Sequence, residues 1–234
     1  MKATLILAHG WGFDASVWDA LCARLPGARA HRGEAGYFGA PVGALPALAP
    51  PGAARADPAG PVRAPAPEEP AGAAVIAIGH SQGGLDLLTA LPAGCTHLVL
   101  INGFGRFCAA PDHPDGVPAR MLERMLSRLA REPQAVVDDF RARCGAAPAA
   151  GPPEPQRLAH GLQRLRDADL RATLAALPLP TLLLAGETDP IAPPALSRAT
   201  AVRDTRWHPG GHLLPLADPA WCAQQIRDFV AATP

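Results

Sequence analysis

The chain has 234 residues, with 21 basic and 21 acidic side chains, so its formal charge is zero. That length suits one α/β domain with a large core, and the neutral balance gives no footprint for nucleic acid or an anionic membrane surface. Five cysteines, Cys22, Cys95, Cys108, Cys144 and Cys222, make an odd count with no CxxC pair, which argues against a disulfide framework and against a zinc site.

In chain order, ATLILA (3–8) is a short continuous apolar run that ends at His9-Gly10. Such runs fit a strand covered on both faces. The run is too short for a secretory signal and has no small-residue cleavage site after it. No stretch approaches the ~20 apolar residues of a membrane helix. A cytoplasmic location is the expectation. Asp14 is placed to cap a helix over 15–25, with Val17, Trp18, Leu21 and Leu25 on one side. Residues 41–70 hold nine prolines and read as a loop.

AAVIAIG (73–79) is a second central strand, and SQGGLDLLTAL (81–91) a helix ended by Pro92 and Gly94. HLVLING (97–103) and TLLLAG (181–186) are the third and fourth strands. PPALSRATAV (193–202) and PAWCAQQIRDFVAA (219–232) are helices that open with proline near the first turn. Strands alternating with helices predict an α/β fold, with a mostly parallel sheet and helices on both faces.

Residues 113–171 interrupt that rhythm with three amphipathic helices. The first, 118–131, gathers Met121, Leu122, Met125, Leu126 and Leu129 on one face and Arg120, Arg124, Arg128 and Arg131 on the other. The second, about 133–144, carries Val136, Val137, Phe140 and Cys144 on one face, and the third, about 155–170, carries Leu158, Leu162 and Leu165. Their apolar faces need a surface to cover, and the C-terminal edge of the sheet offers one. The expected division is a core of 1–112 and 172–234 with a helical lid of 113–171.

The chemistry is concentrated in IAIGHSQGGLD (76–86), where a strand runs into Ser81 with Gly79 two before it and Gly83 two after it. This is the G-x-S-x-G nucleophile elbow, a tight strand-to-helix turn that lifts a serine hydroxyl clear of the sheet. A helix N-terminus then lies beneath the hydroxyl and favours an oxyanion. A serine needs a general base, and the base needs an orienting acid.

In this layout the acid and then the histidine follow the serine along the chain. Asp189, in GETDPIAPP after the fourth strand, is the expected acid, with Glu187 the runner-up. His212, in GGHLLPLADP, is the expected base, because the glycines before it free the loop to turn its ring inward. His208 competes but is expected to end a short strand, TRWH. His80 sits inside the elbow and is expected to point away. The oxyanion donors should be the backbone N–H of Gln82 and an N–H of the HGWG loop (9–12), namely Trp11. Such chemistry needs no metal and no organic cofactor.

This layout resembles the α/β-hydrolase fold over almost the whole chain. Within it, LAHGWGFDASVWDAL (7–21), residues 98–125, residues 165–194 and the histidine loop resemble the carboxylesterases of biotin synthesis. Those enzymes cleave a methyl ester of pimeloyl-acyl-carrier protein. The resemblance implies Ser81 as nucleophile, His212 as base, Asp189 as orienter, and Trp11 and Gln82 for the oxyanion. It also implies that Phe140, Arg141, Ala142, Arg143 and Cys144, together with Trp11, Ser81, Gln82 and His212, contact the substrate, and that the fold works as a monomer.

The chain departs from that pattern in His80-Ser81-Gln82, where the family commonly has Trp-Ser-Leu, and in Asp138 and Asp139, where it has a basic residue. Arg120, Arg124, Arg128 and Arg131 are either a solvated face or a surface for an acidic carrier. The implied function is a serine carboxylesterase acting on the methyl ester of a medium-chain carboxylate, in the specific case pimeloyl-acyl-carrier protein methyl ester. The alternatives are a broad small-ester hydrolase and a ligand-binding protein on the same fold.

Overall fold

The computed structural model describes residues 2–39 and 74–233. Six strands form one sheet: β1 (Ala3–Ala8), β2 (Ala28–Arg32), β3 (Ala74–His80), β4 (His97–Ile101), β5 (Thr181–Gly186) and β6 (Asp204–His208). The order across the sheet is β2-β1-β3-β4-β5-β6, and every neighbouring pair is parallel. The proline-rich stretch 41–70, expected as a loop, lies outside the described residues.

The central strands are buried along their length, but their two faces serve different cores. Leu5, Leu7, Ile76, Ile78, Val99, Ile101, Leu182 and Leu184 pack on one side with Leu21, Ile226 and Phe229. Ile6, Ala77, Leu98, Leu100 and Leu183 pack on the other with Leu87 and Leu88. Side chains alternate along each strand, so a continuous apolar run fills two layers at once.

The helices are α1 (Asp19–Ala23), α2 (Gln82–Thr89), α3 (Ala119–Leu129), α4 (Pro133–Arg143), α5 (Pro155–Asp167), α6 (Arg171–Ala175), α7 (Pro194–Ala199), α8 (Leu214–Ala217) and α9 (Pro219–Ala232). The helix expected over 15–25 is a 3-10 turn, Ala15–Trp18, followed by α1. Asp14 caps it by accepting the Ser16 N–H at 2.9 Å. β4 stops at Ile101, two residues earlier than expected, because Asn102 turns to a φ of 48°. Strand β2 has no apolar run because it pairs only with β1 among the described residues, and its residues are half-buried or exposed.

Helices α3, α4 and α5 stand between β4 and β5. Their apolar faces form a third cluster with residues from the carboxyl ends of the strands: Leu122, Leu129, Val136, Val137, Leu158, Leu162 and Leu165 pack with Trp11, Phe13, Tyr37, Phe104, Ile191 and Leu213. The apolar stripes of all three helices are therefore spent on covering that edge of the sheet.

Candidate active site

Ser81 follows β3 with φ 53° and ψ −121°, a left-handed conformation unusual for a residue with a side chain. The turn is so tight that a Cβ on Gly83 would fall 2.0 Å from the Ala8 carbonyl oxygen, and one on Gly79 2.6 Å from the Gly84 backbone. The two elbow glycines are thus required by close backbone approach. Strain of this kind persists where the surroundings fix it, and it concentrates at functional sites. The Ser81 N–H donates to the Ile101 carbonyl at 3.0 Å, which locks the elbow to β4.

Asp189 and His212 come from the loops after β5 and β6. His212 Nδ1 lies 2.7 Å from Asp189 Oδ2, and the two residues are 1% and 3% exposed. The other carboxylate oxygen of Asp189 accepts the N–H groups of Ile191 at 2.7 Å and Ala192 at 2.9 Å. Oδ2 alone is left to face the imidazole. Because a carboxylate only accepts, Nδ1 donates to this bond and Nε2 is the ring nitrogen it leaves unused. That Nε2 is buried and has no hydrogen-bond partner among the described residues. Glu187, the runner-up acid, makes no side-chain hydrogen bond or ion pair with His212 among the described residues. His208 ends β6 and lies 3.4 Å from Asp218, with its ring against Trp221.

His80 differs from expectation. It is fully buried, its ring centre lies 4.8 Å from that of His212, and its Nε2 lies 2.9 Å from the His212 carbonyl. A carbonyl can only accept, so Nε2 carries a proton and donates it to this bond. Burial pushes its pKa down to about 3, and the neighbouring His212 adds to that.

The residues expected to hold an oxyanion are both anchored from above. Trp11 donates its indole N–H to the Leu158 carbonyl of α5 at 2.8 Å. The Gln82 side chain accepts from the Tyr37 hydroxyl at 3.0 Å, and burial raises the pKa of that hydroxyl above its usual value. Gly161 of α5 sits directly on this group. A Cβ there would fall 2.6 Å from the Tyr37 hydroxyl and 2.7 Å from Trp11 Cδ1.

A cavity of about 180 Å³ opens beside Ser81. Apolar side chains of α3, α4, α5 and the acid loop line it, among them Met121, Leu122, Met125, Phe140, Leu162 and Ile191, together with Trp11. Among the described residues, Arg143 is the one charged side chain in its wall. Of the lid stretch implied to meet the substrate, Phe140 and Arg143 line the cavity and the other three residues do not. Arg141 instead donates to the Gly12 and Ala147 carbonyls and stacks on Phe13 and Phe38. Ala142 faces solvent, and Cys144 is buried in the lid's apolar cluster. Nor does the Gln82 side chain border the cavity. Among the described residues, no group of His, Cys, Asp or Glu is arranged to hold a metal, and no helix is long and apolar enough to cross a membrane.

Asn102 and Tyr37 belong to this assembly but carry no motif. The signal for Asn102 was its place, a polar residue at the carboxyl end of a central strand, where open α/β sheets build their sites.

A profile of the alpha/beta hydrolase family matches residues 5–225. The chain belongs to that family. A relative from Xanthomonas campestris pv. campestris, a pimeloyl-[acyl-carrier protein] methyl ester esterase, is 30% identical over 98% of this chain and 96% of its own. A protein of the same name from Aromatoleum aromaticum is 32% identical over 98% of both chains. Among solved structures, an esterase from Exiguobacterium antarcticum superposes with a TM-score of 0.74 at 14% identity, covering 98% of this chain and 92% of that one. At that identity the likeness speaks for the fold alone.

Proposed function

We propose that this alpha/beta hydrolase is a serine carboxylesterase whose substrate is the methyl ester of pimeloyl-acyl-carrier protein. The observation that carries the chemistry is the buried 2.7 Å contact between His212 Nδ1 and Asp189, with the opposite ring nitrogen unpartnered. The relatives' names, over nearly the full length of both chains, support the substrate.

In the proposed reaction Ser81 Oγ attacks the ester carbonyl carbon, and His212 Nε2 takes its proton. Asp189 keeps the imidazole in the required tautomer and stabilises the imidazolium. Charge on the tetrahedral oxygen is met by the backbone N–H groups of Trp11 and Gln82, each such donor being worth about 10²–10³ in rate. The C–O bond then breaks, His212 returns the proton to the departing methanol, and the acyl group stays on Ser81. Water attacks the acyl-enzyme by the same route and releases the acid. The apolar cavity accommodates the methylene chain.

A second reading, a hydrolase of small free esters, is favoured by Asp138 and Asp139 on α4. Asp139 pairs with Arg128, so this arginine is not free to meet an acidic carrier. Arg120, Arg124 and Arg131 have no side-chain hydrogen bond or ion pair among the described residues, and would be the groups to meet one.

The deciding assay compares hydrolysis of pimeloyl-acyl-carrier protein methyl ester with that of a short p-nitrophenyl ester. Rapid cleavage of the carrier-bound ester, abolished in Ser81→Ala, supports the proposal. Cleavage of the small ester alone assigns the second reading. Reaction of Ser81 with a fluorophosphonate without turnover of either ester would point to a ligand-binding role.

A further inference from the structure

Asn102 is fully buried in a left-handed conformation, φ 48°, which Asn tolerates better than most residues. Its side-chain amide makes three hydrogen bonds, and each goes to a loop that carries a proposed catalytic group. Its Oδ1 accepts the N–H of Gly186 at 2.8 Å. Its Nδ2 donates to the Gly211 carbonyl at 3.1 Å and to the His212 carbonyl at 2.8 Å. Gly186 ends β5 and begins the turn that holds Asp189, while Gly211 and His212 lie on the loop after β6. One side chain therefore spans the acid loop and the base loop. His80, from the elbow itself, donates to the same His212 carbonyl at 2.9 Å.

We propose that Asn102 is a positioning residue that sets the spacing of the two loops and thereby the Asp189–His212 bond, with His80 as the second donor to the His212 backbone. The chemistry demands an amide at this place. An Asp keeps the acceptor for Gly186 but turns a carboxylate oxygen on two carbonyl oxygens. A Leu of similar bulk leaves the Gly186 N–H unpaired in the interior. The role rests on the proposed Ser81–His212–Asp189 triad. A displacement of about 1 Å in such a group can cost about 10²-fold in rate.

The experiment measures kcat and KM on a short p-nitrophenyl ester for Asn102→Asp, Asn102→Ala and His80→Phe, per folded molecule. It also records the low-field proton resonance of the His212 Nδ1–H. Both Asn102 variants are expected to lose about 10–100-fold in kcat with KM little changed, and to lose or shift that resonance. His80→Phe is expected to lose less and to shift the resonance. A lower melting temperature with kcat and the resonance unchanged would show a purely structural role and overturn the proposal. Should neither Asn102 variant fold, an unmoved resonance in His80→Phe overturns it and a shifted one supports it. Ser81→Ala and His212→Ala run beside them. If these two retain activity, the triad falls and takes this role with it. If they lose activity while the Asn102 variants do not, the positioning role alone falls.

Discussion

The imidazoles of His80 and His212 lie side by side with ring centres 4.8 Å apart, and both are sealed from solvent. The pKa of His80 is pushed down to about 3 by that burial and by its neighbour. In the unfolded chain a histidine titrates near 6.5. Between these values the unfolded state binds the extra proton, so this contribution is fully present above about pH 6.5 and is lost as pH falls toward 3. The slope approaches about 1.4 kcal/mol per pH unit in that window. Urea unfolding midpoints of wild type are expected to fall between pH 6.5 and 5, and those of His80→Phe to fall less. Glu34 does not confuse this window. Burial opposes its charged form, but hydrogen bonds from His9 and two backbone N–H groups hold it at about 2, so its loss begins only below about pH 4.5.

Gly161 poses a contest between helix propensity and packing. Alanine is the better helix former by about 1 kcal/mol. Yet the new methyl group would fall 2.6 Å from the Tyr37 hydroxyl, 2.7 Å from Trp11 and 3.2 Å from Gln82 Oε1. Overpacking of this kind costs about 1–3 kcal/mol, so Gly161→Ala is expected to lower the melting temperature. A raised melting temperature would show that α5 moves aside freely.

Arg141 and Arg143 stand two residues apart and should behave differently. Arg141 holds two carbonyls and stacks with its guanidinium carbon 4.7 Å from the Phe13 ring centre. Arg141→Ala is expected to lower stability by about 1–2 kcal/mol, which thermal unfolding reads directly. Arg143 lines the cavity and makes one long contact, 3.4 Å to the Pro190 carbonyl. Arg143→Ala is expected to leave the melting temperature near that of wild type and to change KM for esters that carry a negative charge.

His208 and His212 separate the proposed base from a scaffold residue. His208 accepts the Gly210 N–H at 2.8 Å and packs on Trp221, so His208→Ala should cost about 1–2 kcal/mol of stability and retain most of kcat. His212→Ala should lose several orders of magnitude in kcat/KM. The reverse pattern would reassign the base.

The central strands and the elbow were legible because their demands are written into short stretches of sequence. A buried strand needs an apolar run, and backbone contact demands Gly79 and Gly83. Strand β2 was not legible because half-buried and exposed residues at a sheet edge face no demand for apolar side chains. The roles of Asn102, His80 and Gly161 were hidden for another reason: each is defined by partners brought close only by the folded chain. Asn102 meets Gly186 and His212, and Gly161 meets Tyr37 and Trp11. The same distinction explains Arg141, whose place on the lid helix was legible while its attachment to Gly12 was not.

Strand β6 is the edge of the sheet and the last strand in the chain, and His212 follows it. During synthesis Ser81 leaves the ribosome well before His212, its proposed base. The elbow is built on β3 and β4, whereas the proposed acid and base follow β5 and β6. On the proposed mechanism, a chain cut before β6 carries Ser81 without its base.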